Sequence, residues 1–324
     1  MEYTQLGATG LRVSRAGLGC GGNSRLGLGK GATTAQAIRL VRRALDEGVN
    51  FLDTAEAYGT ESVVGEAVQS VDRSEVILST KARIRLGKRL LSADEVVAAF
   101  EASLTALRTD YVDVFSVHAV TPDIYSHAKE EVLPALLRQK AAGKIRHIGI
   151  TESAPRDPTQ AMLHQAVRDE TAWEVMMLAY SMINQGAGKT LLPQMREKGI
   201  GSLLMFVVRN IFSQPQLLDR TLSELASAGD VPAEAAGSDK PLGFLVHEGG
   251  AVSLTDAAYR FARHQSGGDV VLFGTGDEAH LKENIRSILR PPLPETDVAR
   301  VNGYFGALCG VGLDMPDRLR KPAG

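Results

Sequence analysis

Residues 33–55, TTAQAIRLVRRALDEGVNFLDTA, place a helical pattern directly ahead of a strand. Thr33 or Thr34 stands where a helix N-cap is needed, and Gly48 where the helix should stop. Ala37, Leu40, Val41 and Leu45 recur at helical spacing and give one apolar face. Val49–Ala55 then continues as a short apolar run without clean alternation, the pattern of a strand buried on both sides.

The same alternation extends in both directions. Ala16–Gly21 reads as a strand upstream; Val76–Ala82, Tyr111–Ala119, Arg146–Thr151, Glu174–Ser181, Gly201–Val208 and Asp269–Gly274 follow downstream, which makes eight. Helices are expected in residues 92–108, Ala128–Ala142, Pro158–Arg168, Gly188–Lys198, Leu254–His264 and Glu278–Leu289. Ser92 with Glu95 three residues on is a capping-box signature. Strands alternating with helices imply parallel pairing and right-handed crossovers. Eight such units favour a closed (β/α)8 TIM barrel, with all 324 residues in a single domain.

Two segments break the rhythm. Tyr3–Ser14 reads as a hairpin around Gly7–Gly10, placed to cover the barrel's bottom. Arg209–Ser253 is a long loop after the seventh strand, rich in small residues, Pro and Asp at its centre, and reads as either a lid or a disordered stretch. Trp173 is expected to pack at the start of the sixth strand.

The net charge of −2 argues against a nucleic-acid partner. No apolar run approaches the roughly 18 residues of a membrane span, and the opening residues do not read as a signal peptide. Cys20 and Cys309 are far apart and lack metal-ligand spacing, so no metal site is expected and a cytoplasmic setting fits. The oligomeric state is left open.

In such a barrel, chemistry gathers at the C-terminal ends of the strands. Asp53 ends the second strand, with Tyr58 five residues on; Lys81 ends the third and His118 the fourth. Each has a structural alternative: a helix cap, a packed ring, a surface charge, a satisfied core histidine. Buried Lys and Asp are costly unless paired, and here they can pair with each other. The set suits carbonyl reduction by hydride. The nascent alkoxide needs a proton, which a tyrosine can give. Its ordinary pKa near ~10 would be lowered by an adjacent ammonium. Lys81, held by Asp53, is placed for that, and His118 to orient the carbonyl oxygen.

GVNFLDTAEAYGTESVVGEA, residues 48–67, resembles the signature of the aldo-keto reductase superfamily, with Asp53, Tyr58, Glu61 and Gly65 at the matching positions. Lys81 and His118 match the family's catalytic Lys and His. LGATGLRVS, Leu6–Ser14, is similar to its opening hairpin, and GKIRHIGIT, from Gly143, to its fifth-strand segment. The resemblance implies an NAD(P)(H)-dependent oxidoreductase acting on a small carbonyl or alcohol substrate. It assigns LFGTGDEAHLKEN, Leu272–Asn284, to dinucleotide binding: Gly274, Thr275 and Gly276 near phosphate, at a helix N-terminus with free amides, and Glu283 and Asn284 near the adenine.

Departures from the family leave NADP(H) and NAD(H) both open. Many relatives carry Lys at 274 and Arg at 280 to clamp a 2′-phosphate, where this chain has Gly274 and His280. Their Ser-Asn pair and Gln around the nicotinamide amide align with Thr151, Glu152 and Met177, and their stacking aromatic with Met205, next to Phe206. Arg83, Arg85 and Arg209 are candidates to line the substrate pocket, Arg209 also to meet a cofactor phosphate. Three alternatives remain: an NAD-dependent sugar or alcohol dehydrogenase, a cofactor-binding regulatory subunit with little turnover, and an unrelated Schiff-base lyase using Lys81. The apolar stretch 301–314 has the position of the family's C-terminal segment, which can border the substrate site.

Overall fold

The computed structural model describes residues 1–169, 173–236 and 242–313. The strands are β1 (Tyr3–Gln5), β2 (Arg12–Ser14), β3 (Ala16–Gly19), β4 (Phe51–Asp53), β5 (Ile77–Arg83), β6 (Arg85–Leu86), β7 (Arg89–Leu90), β8 (Val112–Val120), β9 (Ile145–Glu152), β10 (Val175–Ala179), β11 (Gly201–Met205) and β12 (Val270–Phe273). Eight of them close a barrel in the order β10-β11-β12-β3-β4-β5-β8-β9, every pair parallel. These are the eight apolar runs read from the sequence. Leu18, Leu52, Phe115 and Ile148 face the surrounding helices, while Phe51, Ile77, Val114, Val175, Leu203 and Val270 fill the inside. Burial on both sides is why the strands show continuous apolar character.

The helices are α1 (Thr34–Asp46), α2 (Glu61–Val68), α3 (Ala93–Leu107), α4 (Tyr125–His127), α5 (Leu133–Ala141), α6 (Ala161–Arg168), α7 (Gly186–Glu197), α8 (Asn210–Ser213), α9 (Pro215–Ala228), α10 (Leu254–Arg263), α11 (Glu278–Leu289) and α12 (Glu295–Phe305). Reciprocal capping boxes start α1, between Thr33 and Gln36, and α3, between Ser92 and Glu95. Trp173 is buried just ahead of β10 and donates to the Tyr125 hydroxyl at 3.2 Å.

The hairpin β1–β2 plugs the N-terminal end of the barrel. Leu6, Leu11 and Val13 join the interior cluster of Phe51 and Val114. The segment Arg209–Ser253 differs from the expected loop: it carries α8 and α9, and Ile211, Phe212, Leu218 and Leu222 bury their side chains. Pro215 opens α9, and Leu218 and Leu222 form its buried face, so a helical period lay beneath the small-residue composition. Residues 237–241 of that segment lie outside the described residues. Among the described residues, no helix is long and apolar enough to cross a membrane, and no group of His, Cys, Asp and Glu has metal-site geometry.

Candidate active site

Asp53 is the last residue of β4 and Lys81 lies near the end of β5. The Lys81 ammonium donates to both Asp53 oxygens, each at 2.7 Å, and to the Thr54 carbonyl at 2.8 Å. The Ser79 hydroxyl donates to Asp53 Oδ1 at 3.0 Å. Both charged side chains are almost wholly buried, at 1% and 5% exposure, so their attraction is little screened by water and, with the added hydrogen bonds, offsets the cost of desolvating both charges. Burial works against the Lys81 charge. Asp53 and Tyr58 outweigh it and hold the lysine above its ordinary pKa.

Tyr58 ends a short turn, Glu56–Tyr58, after β4. Lys81 Nζ lies 5.1 Å from the centre of its ring, and the His118 ring meets it edge-on at 5.7 Å. Burial pushes the phenol up, Lys81 pulls it down, and the outcome lies above the ordinary tyrosine value. The expectation of a lowered pKa is thereby corrected: the ammonium acts in the expected direction, and desolvation exceeds it. His118, on β8 and paired in register with Arg83, is held well below its usual pKa by burial, then by the charges of Lys81 and Arg83. It is a neutral imidazole near pH 7, and its Nδ1 is buried without a hydrogen-bond partner.

Four supporting residues surround this group; Gly21 and Arg25 carried no sequence signal of their own, whereas Glu61 and Gly65 stand in the signature stretch. A Cβ built at Gly21 would lie 2.5 Å from Tyr58 Cε2, so this glycine leaves the space the phenol ring occupies. Arg25 Nε donates to the Tyr58 carbonyl at 2.7 Å. Glu61 is buried and accepts from the Thr80 hydroxyl at 2.5 Å, which ties α2 to β5 beneath the tyrosine turn. Gly65 lets α2 touch the end of α3: a Cβ there would come within 2.5 Å of the Ala106 carbonyl.

The turn after β12 lies beside this group. Gly276 packs on Gly27, where an added Cβ would lie 2.5 Å from Gly27 Cα. The segment 24–31 therefore touches both the Tyr58 backbone, through Arg25, and the Gly274–Gly276 turn. Thr275 is buried, and its hydroxyl both donates to the Asp277 carbonyl at 3.2 Å and accepts from the Asp277 amide at 3.0 Å. The α11 N-terminus departs from expectation. Asp277 Oδ1 accepts from the Ala279 and His280 amides at 2.8 and 2.9 Å, so these donors are not free for phosphate. These amide bonds hold the Asp277 carboxyl below its usual pKa and keep it ionised. His280 and Glu283 are exposed and Asn284 is half-buried.

At the ends of β9, β10 and β11, Thr151 accepts from the Ala119 amide at 2.8 Å. Glu152 is 2% exposed. Its Oε1 accepts from Gln160 Nε2 at 2.9 Å and from the Ala179 amide at 2.5 Å, while Oε2 is buried without a partner. Burial pushes this carboxyl up to about 8. Met177 is buried in the barrel interior, whereas Met205 and Phe206 reach the mouth. Phe206 has a left-handed backbone, φ +62°, and the Arg209 guanidinium stacks on its ring at 4.3 Å. Arg83 pairs with Glu56 at 2.8 Å, and Arg85 with Asp123 at 2.7 Å.

These residues fit a nicotinamide dinucleotide in two respects. The partnerless Glu152 oxygen offers a hydrogen-bond site, and the glycine turn admits close backbone approach. A cleft of about 510 Å³ opens instead on the N-terminal face, lined by Arg15, Arg196 and Arg263. Its guanidiniums are engaged structurally: Arg15 donates to the Gly268 and Asp269 carbonyls, Arg196 to Ser266, and Arg263 to Glu2. No candidate catalytic residue lines it.

The model of the aldo/keto reductase family matches residues 17–304. The aldo-keto reductase YhdN of Bacillus subtilis is 31% identical over 214 residues, 63% of this chain and 61% of that protein. L-galactose dehydrogenase of Arabidopsis thaliana is 34% identical over 208 residues, 62% of this chain and 63% of that protein. The match thus spans less than two thirds of either relative. In fold, the chain resembles the holo form of aldo-keto reductase AKR11C1 from Bacillus halodurans, with a TM-score of 0.69, 23% identity, and coverage of 93% of this chain and 95% of that one. The thermostable aldo-keto reductase Tm1743, solved with epalrestat, gives a TM-score of 0.69 at 22% identity, covering 93% of this chain and 99% of that one. With an eight-stranded parallel barrel and a family match across most of its length, the chain belongs to the aldo/keto reductase family.

Proposed function

We propose that this protein interconverts a small carbonyl compound and its alcohol, with Tyr58 as the proton-transferring group. The convergence of Asp53, Lys81, Tyr58 and His118 at the ends of three neighbouring barrel strands carries this reading. A bound nicotinamide dinucleotide would supply or accept the hydride. In reduction, the Tyr58 hydroxyl gives its proton to the oxygen of the reduced carbonyl. In oxidation, the tyrosinate takes the alcohol proton. Lys81 stabilises the phenolate, and Asp53 keeps Lys81 charged and in place. Neutral His118 donates a hydrogen bond to the substrate oxygen and orients it. Such proton transfer contributes about 10²–10⁴ in rate.

Thr151 and Glu152 are assigned to the nicotinamide amide, Met205 and Phe206 to its ring face. Gly274, Thr275 and Gly276 are assigned to the phosphates, with Arg209 as a further contact, and Glu283, Asn284 and His280 to the adenosine end. Asp277 favours NAD(H) over NADP(H): an ionised carboxylate at the head of α11 repels a 2′-phosphate and suits a ribose hydroxyl. That preference supports a second reading, oxidation of a sugar or alcohol, in line with the name of the plant relative.

The test is fluorescence titration of NADH and NADPH, followed by turnover of the wild type and Tyr58→Phe. We expect saturable binding, tighter for NADH. Tyr58→Phe should lose turnover by about 10²-fold or more and keep the wild-type affinity. Activity of that variant within a few-fold of wild type would refute the role of Tyr58. Binding without turnover in the wild type would favour a regulatory subunit.

A further inference from the structure

The segment after α12 crosses the barrel mouth. The Gln185 amide donates to the Leu308 carbonyl at 3.1 Å, and the Gly310 amide donates to Asn184 Oδ1 at 2.7 Å. Gly310 and Gly312 have left-handed backbones, φ +82° and +69°, which turn the chain tightly back over the loop that follows β10. A Cβ at Gly312 would meet Ile183 and Ile211, each at 3.3 Å. The path delivers Leu313, which is 9% exposed, onto Ala154, Ala179, Met205 and Phe206. Those four residues lie at or just beyond the ends of β9, β10 and β11. They form a small apolar cluster of their own, linked to the barrel interior through Met205.

An apolar side chain seated there competes with any flat ring that uses the same face. We propose that residues 306–313 form a strap closing the Met205–Phe206 face, with Leu313 as its latch, and that the strap lifts before a dinucleotide seats. This rests on the assignment of that face to the nicotinamide ring. Leu308 is buried in the main core and anchors the strap; beyond it the hold is one hydrogen bond, from the Gly310 amide to the Asn184 side chain, with the half-buried Val311 and the latch Leu313. Beyond Leu308 the strap can therefore open without disturbing the barrel strands. A protein whose binding-competent state is only partly populated shows an affinity reduced by that fraction, and weakening the latch restores it.

The experiment uses the full chain, with Leu313→Ala and Leu313→Asp beside the wild type, each checked for an unchanged melting temperature within a few degrees. NADH and NADPH are titrated by fluorescence. Deuterium uptake of the peptide spanning 306–313 is followed with and without saturating dinucleotide. Both variants should bind about threefold to tenfold more tightly than wild type, with faster association, and uptake in the wild-type peptide should rise on binding. Unchanged or weaker binding by the variants, or a fall in uptake, would overturn the strap and make Leu313 a wall that the dinucleotide needs. Failure of the wild type and both variants to bind either dinucleotide would overturn the oxidoreductase reading itself, and the strap with it.

Discussion

Replacing Lys81 by Met removes one half of a buried ion pair and leaves the other in place. Asp53 would lose both 2.7 Å contacts and keep only the 3.0 Å bond from Ser79. Breaking such a pair by deleting one partner costs about 3–5 kcal/mol. In a chain of this size that lowers the melting temperature by roughly 4–8 °C. The folded protein holds Lys81 above its ordinary pKa. The pair's contribution is thus fully present below the unfolded lysine value of about 10.4 and fades as pH rises through the folded value. The stability gap between variant and wild type should be flat from pH 6 to 9 and narrow only at the alkaline end. Asp53→Asn combined with Lys81→Met removes the stranded charge and should recover most of the melting temperature. Turnover should stay down by about 10²–10⁴, because the phenol has lost the ammonium that pulls its pKa down against burial. Thermal melts across pH and single-turnover hydride transfer separate the two effects. A double variant that regained activity along with stability would refute the argument, since Lys81 would then be structural only.

Three further outcomes are expected. Gly21→Ala pushes a methyl into the Tyr58 ring and should cut turnover by about tenfold or more; steady-state kinetics at wild-type levels would show that the ring can shift freely. Asp277→Asn with Gly274→Lys should move the affinity ratio from NADH toward NADPH by about tenfold. A Cβ at Gly274 meets only the Gly19 carbonyl at 3.4 Å and Ser24 Oγ at 3.8 Å, so paired titrations would report charge and not misfolding. Glu152 has a folded pKa raised to about 8, so the native state binds the extra proton and stability falls as pH rises from the unfolded value near ~4.3. Glu152→Gln should abolish that slope and add about 1–3 kcal/mol at pH 8, read from denaturant melts at pH 5 and pH 8.

The barrel could be read from the sequence because its strands are buried on both faces, and that gives short apolar runs at regular intervals. Asp53, Lys81 and His118 could be read because each stands at or near the end of such a run, where polar residues need a reason, and Tyr58 because it follows Asp53 by five residues in the signature stretch. The rest depends on contacts between distant segments. Nothing near Gly21 in sequence announces that a tyrosine ring 37 residues later fills its empty side. Nothing in the stretch Leu272–Asn284 singles out Asp277; its grip on two helix amides is a matter of backbone geometry. Leu313 belongs to an apolar tail whose destination is fixed by two left-handed glycines and an asparagine 126 residues upstream of Gly310. The helix α9 was hidden by the Ala, Gly and Pro that follow it, which outweighed the spacing of Leu218 and Leu222 in a reading by composition.

The hairpin that plugs the barrel also sets an order of assembly. The Gly7 amide donates to Asp269, a partner 262 residues away, and β3 closes the cylinder against β12. During synthesis, the first segments made must therefore wait for some of the last before they can settle. Such long-range closure slows folding and leaves apolar edges open meanwhile. Leu6, Leu11 and Val13 are the residues left waiting, so a bulky fusion next to Tyr3, or a cut before Ser14, should be felt as lost yield long before it is felt as lost catalysis.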